Sequence, residues 1–401
     1  MWIRLRLDIG WRDLYCGLWY TLFPGKRELL QQRVEEMWSD GKRDALACRS
    51  VRTGFDLLLR TLKLPAGSEV LMSAINLPDM VRIVREHDLV PVPVDVYGEN
   101  LRLDLASLRR AVSPKSRVLV IAHLYGARMT LDDVLLVAQE HNLFVIEDCA
   151  QAYAGDAWRG DTRSQAALFS FGTIKTGTAL GGALCRVQSP ELLLQMREAQ
   201  QQYPVQSTKG RLRQILVMLL LKQCSMRRCF GMLSWLARLF SFDLQACLAN
   251  LTRGFPPDQF FELLRQRPSA AVLGLLQHRL QSGSVARVRQ RCQRAQFLMN
   301  ELGLDETQPE LVHSSHVFWL FPYHTRNPDA LIQRLQQAGF DATRRGRMEV
   351  LQPPPDHAEL QCMSAAHLLD EIVFLPCYPE MPECELRRMA AVVRSVQAET
   401  S

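Results

Sequence analysis

From residue 67 to residue 187 the chain alternates short apolar runs with amphipathic stretches, and this alternation constrains the fold more than any other feature. EVLMSAI, VPVPVDV, RVLVIAH, LFVIED, ALFSF and GALCRV read as strands, and helix-spaced stretches around Met80 to His87, Leu105 to Val112 and Leu131 to His141 fall between the first four. Runs this continuously apolar suit strands covered on both faces. Their alternation with helices argues a mostly parallel sheet sandwiched by helices. Upstream, Ser50-Val51-Arg52-Thr53 opens a helix through Phe55 to Leu64. After Pro190 the pattern turns helical, with a linker-like GFPPD at Gly254 to Asp258 and a long helix predicted from about Ser269 through Asn300. HVFWLFPY, a helix over Pro328 to Ala338, EIVFLPCY and a final helix from Glu383 predict a small C-terminal α/β domain. The expected division is a Trp-rich helical arm at 1–45, a large domain at 46–255 with an insertion at about 200–255, and a connecting helix plus small domain at 256–401.

Two residues give this scaffold chemistry. Asp148 closes the run Leu143-Phe144-Val145-Ile146, and Lys175 sits just beyond Ala167-Leu168-Phe169-Ser170-Phe171. In open α/β sheets ligands gather at the carboxyl ends of strands, so both side chains are expected in one crevice. An acid that can keep a pyridine nitrogen protonated and a lysine that can form an imine suit pyridoxal phosphate. Each residue alone has an ordinary reading. Asp148 could cap a helix, a lysine after a strand is commonly a solvated loop residue, and Gln151 and Ser170 taken singly are plain hydrogen-bonding residues. His123, at the end of RVLVIAH, reads as a satisfied strand-end histidine rather than a crevice residue. The information lies in the combination.

On EDCAQAYAG, on Ser170-Phe171 with Lys175 beyond it, and on Gly181-Gly182, the sequence resembles the DegT/DnrJ/EryC1/StrS aminotransferases. The resemblance continues through PAGSEVLMSAINLPDM, VIAHLYGARMTLDDV, HVFWLFPY and VFLPCYPEMPECELRRM, and so covers most of the chain. It implies the aspartate-aminotransferase-like fold, pyridoxal phosphate, a homodimer with active sites at the subunit interface, a keto-sugar or related keto substrate, and an amino-acid donor. Carried over by position, Lys175 is similar to the Schiff-base lysine and Asp148 to the partner of the pyridine nitrogen. Gln151 matches the residue beside the ring, Ser170 matches the phosphate-binding serine, and Arg52 and Thr53 fall at the phosphate-binding helix start.

The chain also departs from the family pattern. Val51 replaces the glycine of the phosphate turn, no aromatic stands near Asn76 or Leu77 to cover the ring, Ala179-Leu180 replace an acid, and Arg265 stands where the partner-donated asparagine is expected. Two alternatives stand beside the enzyme reading: a relative acting on a lipid-linked substrate at a membrane surface, favoured by the basic apolar insertion, and a non-catalytic regulatory or binding relative, favoured by the missing aromatic and asparagine. The retained Asp148 and Lys175 argue for catalysis.

The 47% apolar content of the 401 residues suffices for a sizeable core. Eleven cysteines without a metal-like spacing suggest buried free thiols in a reducing, cytoplasmic setting, with no metal site. The charge is uneven: from Ala199 to Phe242 there is no Asp or Glu, while Lys209, Arg211, Arg213, Lys222, Arg227, Arg228 and Arg238 are basic. Lys222 and Arg227-Arg228 break the apolar runs short of a membrane span. With Trp2, Trp11 and Trp19 in the opening segment, the favoured expectation is an internal or subunit-packing arm, with peripheral membrane contact through 1–24 and 212–242 as the alternative. Nucleic-acid binding is not expected, since the basic stretch lacks interleaved aromatics.

Overall fold

The computed structural model describes residue 2 and residues 7–97, 101–224, 257–304, 315–344 and 346–400. A seven-stranded sheet forms its centre. The strands are β1 (Ala45–Cys48), β2 (Glu69–Ser73), β3 (Val90–Val94), β4 (Ser116–Ala122), β5 (Phe144–Asp148), β6 (Ala166–Ser170) and β7 (Ala183–Val187), in the spatial order β1-β7-β6-β5-β4-β2-β3. β2 to β6 run parallel, and β7 lies antiparallel between β6 and β1. Val118, Leu119, Val120 and Ile121 of β4 are fully buried, as continuous apolarity demands. Pro91 and Pro93 survive in β3 because that strand is an edge. The Val90 N–H bonds inward to the Ser68 carbonyl, so the alternate positions that carry proline lack only an outward-facing donor.

Helices cover the sheet in the expected rhythm: α1 (Trp11–Leu22), α2 (Arg27–Ser39), α3 (Val51–Leu62), α4 (Pro78–Glu86), α5 (Leu105–Ala111), α6 (Asp132–Glu140), α7 (Pro190–Gln201) and α8 (Thr208–Cys224). The predicted Ser269–Asn300 helix is two helices, α9 (Ala270–Ser282) and α10 (Val285–Leu302). The break is Gly283 at φ 67°, a conformation an L residue rarely adopts. The expected strand EVLMSAI likewise divides, with β2 ending at Ser73 and the short strand Ile75–Asn76 pairing with Glu349–Val350. Towards the C-terminus, Phe321–His324 pairs with Ile372–Leu375 beneath the helices Pro328–Gln337 and Glu383–Thr400, around a core that includes Tyr323, Phe340 and Met389. Arg227, Arg228, the run CFGMLSWLARLF and most of GFPPD lie outside the described residues.

α3 sits tightly on the sheet because Gly54 has no side chain. A Cβ there would lie 2.3 Å from Cys185 Sγ of β7. Alanine improves an exposed helix by about 1 kcal/mol, but overpacking a dense core costs about 1–3 kcal/mol. Gly54→Ala is therefore expected to lower the urea midpoint, and adding Cys185→Ala should recover most of the loss. Equal midpoints for Gly54→Ala and the unmodified protein would contradict this packing account.

Candidate active site

The parallel strands deliver His123, Asp148 and Ser170 to the same edge of the sheet, where each side chain takes a different role. Asp148 Oδ1 accepts from the Ala150 N–H at 3.0 Å, which fixes the carboxylate, and no donor reaches Oδ2 among the described residues. Burial raises its pKa, against the lowering effects of the Ala150 N–H, Lys175, His123 and Arg52. Lys175 is half-buried, and its Nζ lies 3.9 Å from the centroid of the Trp319 ring. No hydrogen bond or ion pair holds that nitrogen among the described residues. Burial pushes its pKa down to about 8; Asp148 opposes the shift and Arg52 adds to it. The amine is thus much closer to its nucleophilic form at neutral pH than an ordinary lysine.

The other predicted residues separate into those that reach the crevice and those that do not. Gln151 Oε1 accepts from the Tyr125 N–H at 2.7 Å, so the amide is held across the strand ends. Ser170 Oγ accepts from the Gly172 N–H at 3.3 Å, inside the turn that leads to Lys175. Arg52 lies in the first turn of α3, ion-paired to Asp79 at 2.9 Å, and acts on both Asp148 and Lys175. Thr53 is turned away: its buried hydroxyl donates to the Leu264 carbonyl at 2.9 Å, and its N–H is capped by Ser50 Oγ. His123 is buried behind the site, its Nε2 2.9 Å from Glu147 Oε2 and its Nδ1 accepting from the Met129 N–H. Cys149 lies close enough to His123 and Glu147 to suggest a metal cluster, but that histidine already uses both ring nitrogens. Arg265 closes ion pairs with Asp56 at 3.1 Å and Glu86 at 3.2 Å, so the side chain at the asparagine position braces α3 and α4.

Sequence reasoning missed how the lysine loop is held. Gly177 N–H donates to Asp8 Oδ2 at 2.7 Å, and Arg287 and the Arg279 guanidinium engage Asp8 in turn. Arg291 donates to Thr176 Oγ1 and to the Val317 carbonyl. Arg211 of α8, read above as part of a basic stretch, is fully buried. It donates to the Ala179 and Leu180 carbonyls at 2.7 and 2.8 Å, and Gln214 bonds Leu180 as well. Leu180 sits at φ 57°, a conformation these contacts hold. Trp319 completes the enclosure, its indole N–H donating to the Ile174 carbonyl at 2.8 Å. It is brought there by Gly126 at φ 108°, where a Cβ would lie 2.7 Å from the Trp319 nitrogen, and by the pairing of Ala127–Arg128 with Ser315–His316.

A mostly parallel sheet with a lysine loop beyond one strand and an acid at the end of the next defines an aspartate-aminotransferase-like protein. Residues 19–217 match the model of the DegT/DnrJ/EryC1/StrS aminotransferase family. It is 31% identical over 197 residues to GDP-perosamine synthase of Caulobacter vibrioides, covering 48% of this chain and 53% of that protein. It is 40% identical over 88 residues to L-glutamine:2-deoxy-scyllo-inosose aminotransferase of Micromonospora echinospora, covering 22% and 21%. The matches thus span about half or less of these curated relatives. Among solved structures, the aminotransferase TlmJ from Streptoalloteichus hindustanus superposes with a TM-score of 0.72 at 15% identity, covering 100% of both chains. The sugar aminotransferase CalS13 from Micromonospora echinospora gives 0.70 at 18% identity, covering 98% of this chain and 100% of that one.

Arg211→Met should leave the Ala179 carbonyl buried without a donor, at a cost of about 1–3 kcal/mol. Amide hydrogen exchange over Gly177–Gly182 should accelerate relative to the sheet strands. Unchanged protection in that loop would mean that Arg211 does not brace it.

Proposed function

We propose that the chain is a pyridoxal-phosphate-dependent aminotransferase that moves an amino group from an amino-acid donor to a keto-sugar or related keto substrate. The observation that carries this reading is Lys175: an amine lowered by burial to about 8, with no hydrogen-bond partner among the described residues, near the Asp148 carboxylate, whose Oδ2 meets no donor among them. The match to the family model and the aminotransferase relatives support the substrate class.

The donor set fits the cofactor. Asp148 offers Oδ2 to a protonated ring nitrogen, Lys175 offers its amine to an aldehyde, and the α3 N-terminus with Arg52 and Ser170 offers positive potential and a hydroxyl to a phosphate. Thr53 would contribute only through the backbone of that helix start. Bound there, pyridoxal phosphate would supply an electron sink for charge developing at the carbon bearing the transferred amine. The chain's own residues do the rest. Lys175 Nζ accepts and returns a proton close to neutral pH, because burial has brought its two protonation states near balance. Asp148 would keep a ring nitrogen there charged, and Gln151, fixed by the Tyr125 N–H, would pack beside the ring. Trp319 lends the crevice the aromatic face that Leu77 lacks, and encloses Nζ against water. Assembly as a homodimer is supported by the family resemblance, and a reducing compartment by the buried free thiols Cys48, Cys149 and Cys185.

Purified protein mixed with pyridoxal phosphate should develop a protein-bound absorbance band near the visible edge, which amino-acid donors bleach and Lys175→Ala abolishes. Absence of the band in the unmodified protein would sink the cofactor assignment. Only the neutral amine attacks an aldehyde, so the rate of uptake should climb about tenfold per pH unit and level off above pH 8. A rate still climbing towards 10 would mean that the lysine is not desolvated. Trp319→Ala should weaken cofactor retention about two- to tenfold by equilibrium dialysis, the range expected for one lost aromatic contact.

A further inference from the structure

The opening helix and α8 lie side by side on the surface, and their outer faces share an unusual chemistry. The two run antiparallel: a Cβ on Gly17 would lie 3.5 Å from the Ile215 side chain, and Lys222 Nζ donates to the Ile9 carbonyl. On α1 the outward positions are Arg12, Tyr15, Trp19 and Leu22, spaced three or four residues apart, with Phe23 just beyond. On α8 they are Lys209, Arg213, Leu216 and Leu220, at the same spacing. Trp19 is 61% exposed, Tyr15 and Phe23 60%, and Leu220 64%, values that large apolar side chains seldom reach in a packed surface.

What the face lacks is any acid. The two aspartates that interrupt the N-terminal sequence both turn inward, Asp13 onto Arg279 and His278, and Asp8 onto Arg287 and the Gly177 N–H. Arg12, Lys26, Lys209 and Arg213 have no ion pair among the described residues. Beyond α8 the sequence from Ser225 to Phe242 adds Arg227, Arg228 and Arg238 and again no acid. A second copy of the chain is a poor match for this face. A two-fold contact sets a patch against itself, which would press cations against cations with no carboxylate to answer them. Exposed tryptophan, tyrosine and phenylalanine among unpaired lysines and arginines match a bilayer boundary, where rings enter the headgroup layer and cations meet anionic lipid. No helix among the described residues is long and apolar enough to cross a membrane, so the contact is one of lying on it.

We propose that the outer face of α1 and α8 docks the protein on an anionic lipid surface. The test is co-sedimentation of the full chain with vesicles of phosphatidylcholine alone and of phosphatidylcholine mixed with phosphatidylglycerol. The chain should pellet with the anionic vesicles, and added salt should release it. Trp19→Ser with Phe23→Ser should weaken binding at least about tenfold, and Arg12→Gln and Arg213→Gln about fivefold each, all with native circular dichroism since these side chains are exposed. Failure of the folded protein to bind anionic vesicles at low salt would overturn the proposal, as would equal binding to neutral vesicles. So would a concentration-dependent dimer that Trp19→Ser with Phe23→Ser dissociates, because the face would then belong to a second copy.

Discussion

Everything chemical in this structure depends on keeping one lysine amine out of water. Burial lowers Lys175 to about 8 and raises Asp148, so the same desolvation pushes both groups towards neutrality while their mutual attraction pulls the other way. The balance holds only if the loop carrying the lysine cannot relax and let solvent in. That loop has little regular structure of its own and passes through Leu180 at a left-handed φ of 57°. Its rigidity therefore comes from outside it. The N-terminal arm supplies Asp8, α8 supplies Arg211, α10 supplies Arg291, and the strand Ser315–His316 leads to Trp319. Each contact satisfies a backbone or hydroxyl group that would otherwise be buried and unpaired, and each costs about 1–3 kcal/mol to lose.

The parts legible in the sequence were those set by local pattern. Apolar runs bounded by turns gave the strands, their carboxyl ends the places of Asp148 and Ser170 and of the loop to Lys175, while Gln151 came only from the family resemblance. The braces were illegible for a physical reason: they join residues far apart in the chain. Asp8 reaches Gly177 and Arg211 reaches Ala179 only after the sheet and its covering helices have formed. A lone aspartate in a Trp-rich segment and one arginine among many carry no local sign of burial. In the sequence Arg211 reads as one more residue of a basic stretch, although burial lowers its pKa to about 10 and its guanidinium donates to the Ala179 and Leu180 carbonyls.

The departures from the family pattern take on structural meaning in the same way. Arg265, standing in place of an asparagine, is bound by Asp56 and Glu86 and ties α3 to α4, the two helices whose first turns carry Arg52 and its partner Asp79. The missing acid at Ala179-Leu180 coincides with a buried arginine arriving from α8, whose place is a pair of carbonyl oxygens rather than a carboxylate. The absent aromatic at Leu77 coincides with Trp319 standing against the Lys175 amine. In each case a local substitution is accompanied by a contact made over a long sequence separation.

The N-terminal arm and α8 consequently have two faces with opposite demands. Their inner faces present charge, Asp8 to the lysine loop and Arg211 to its carbonyls. Their outer faces carry no acid: Asp8 and Asp13 turn inward onto Arg287 and Arg279, and the α8 sequence contains none. A substitution that returned Asp8 to solvent would loosen Gly177 and add a negative charge near the outer face at once, so the arm couples the enclosure of the amine to the electrostatics of the surface it presents.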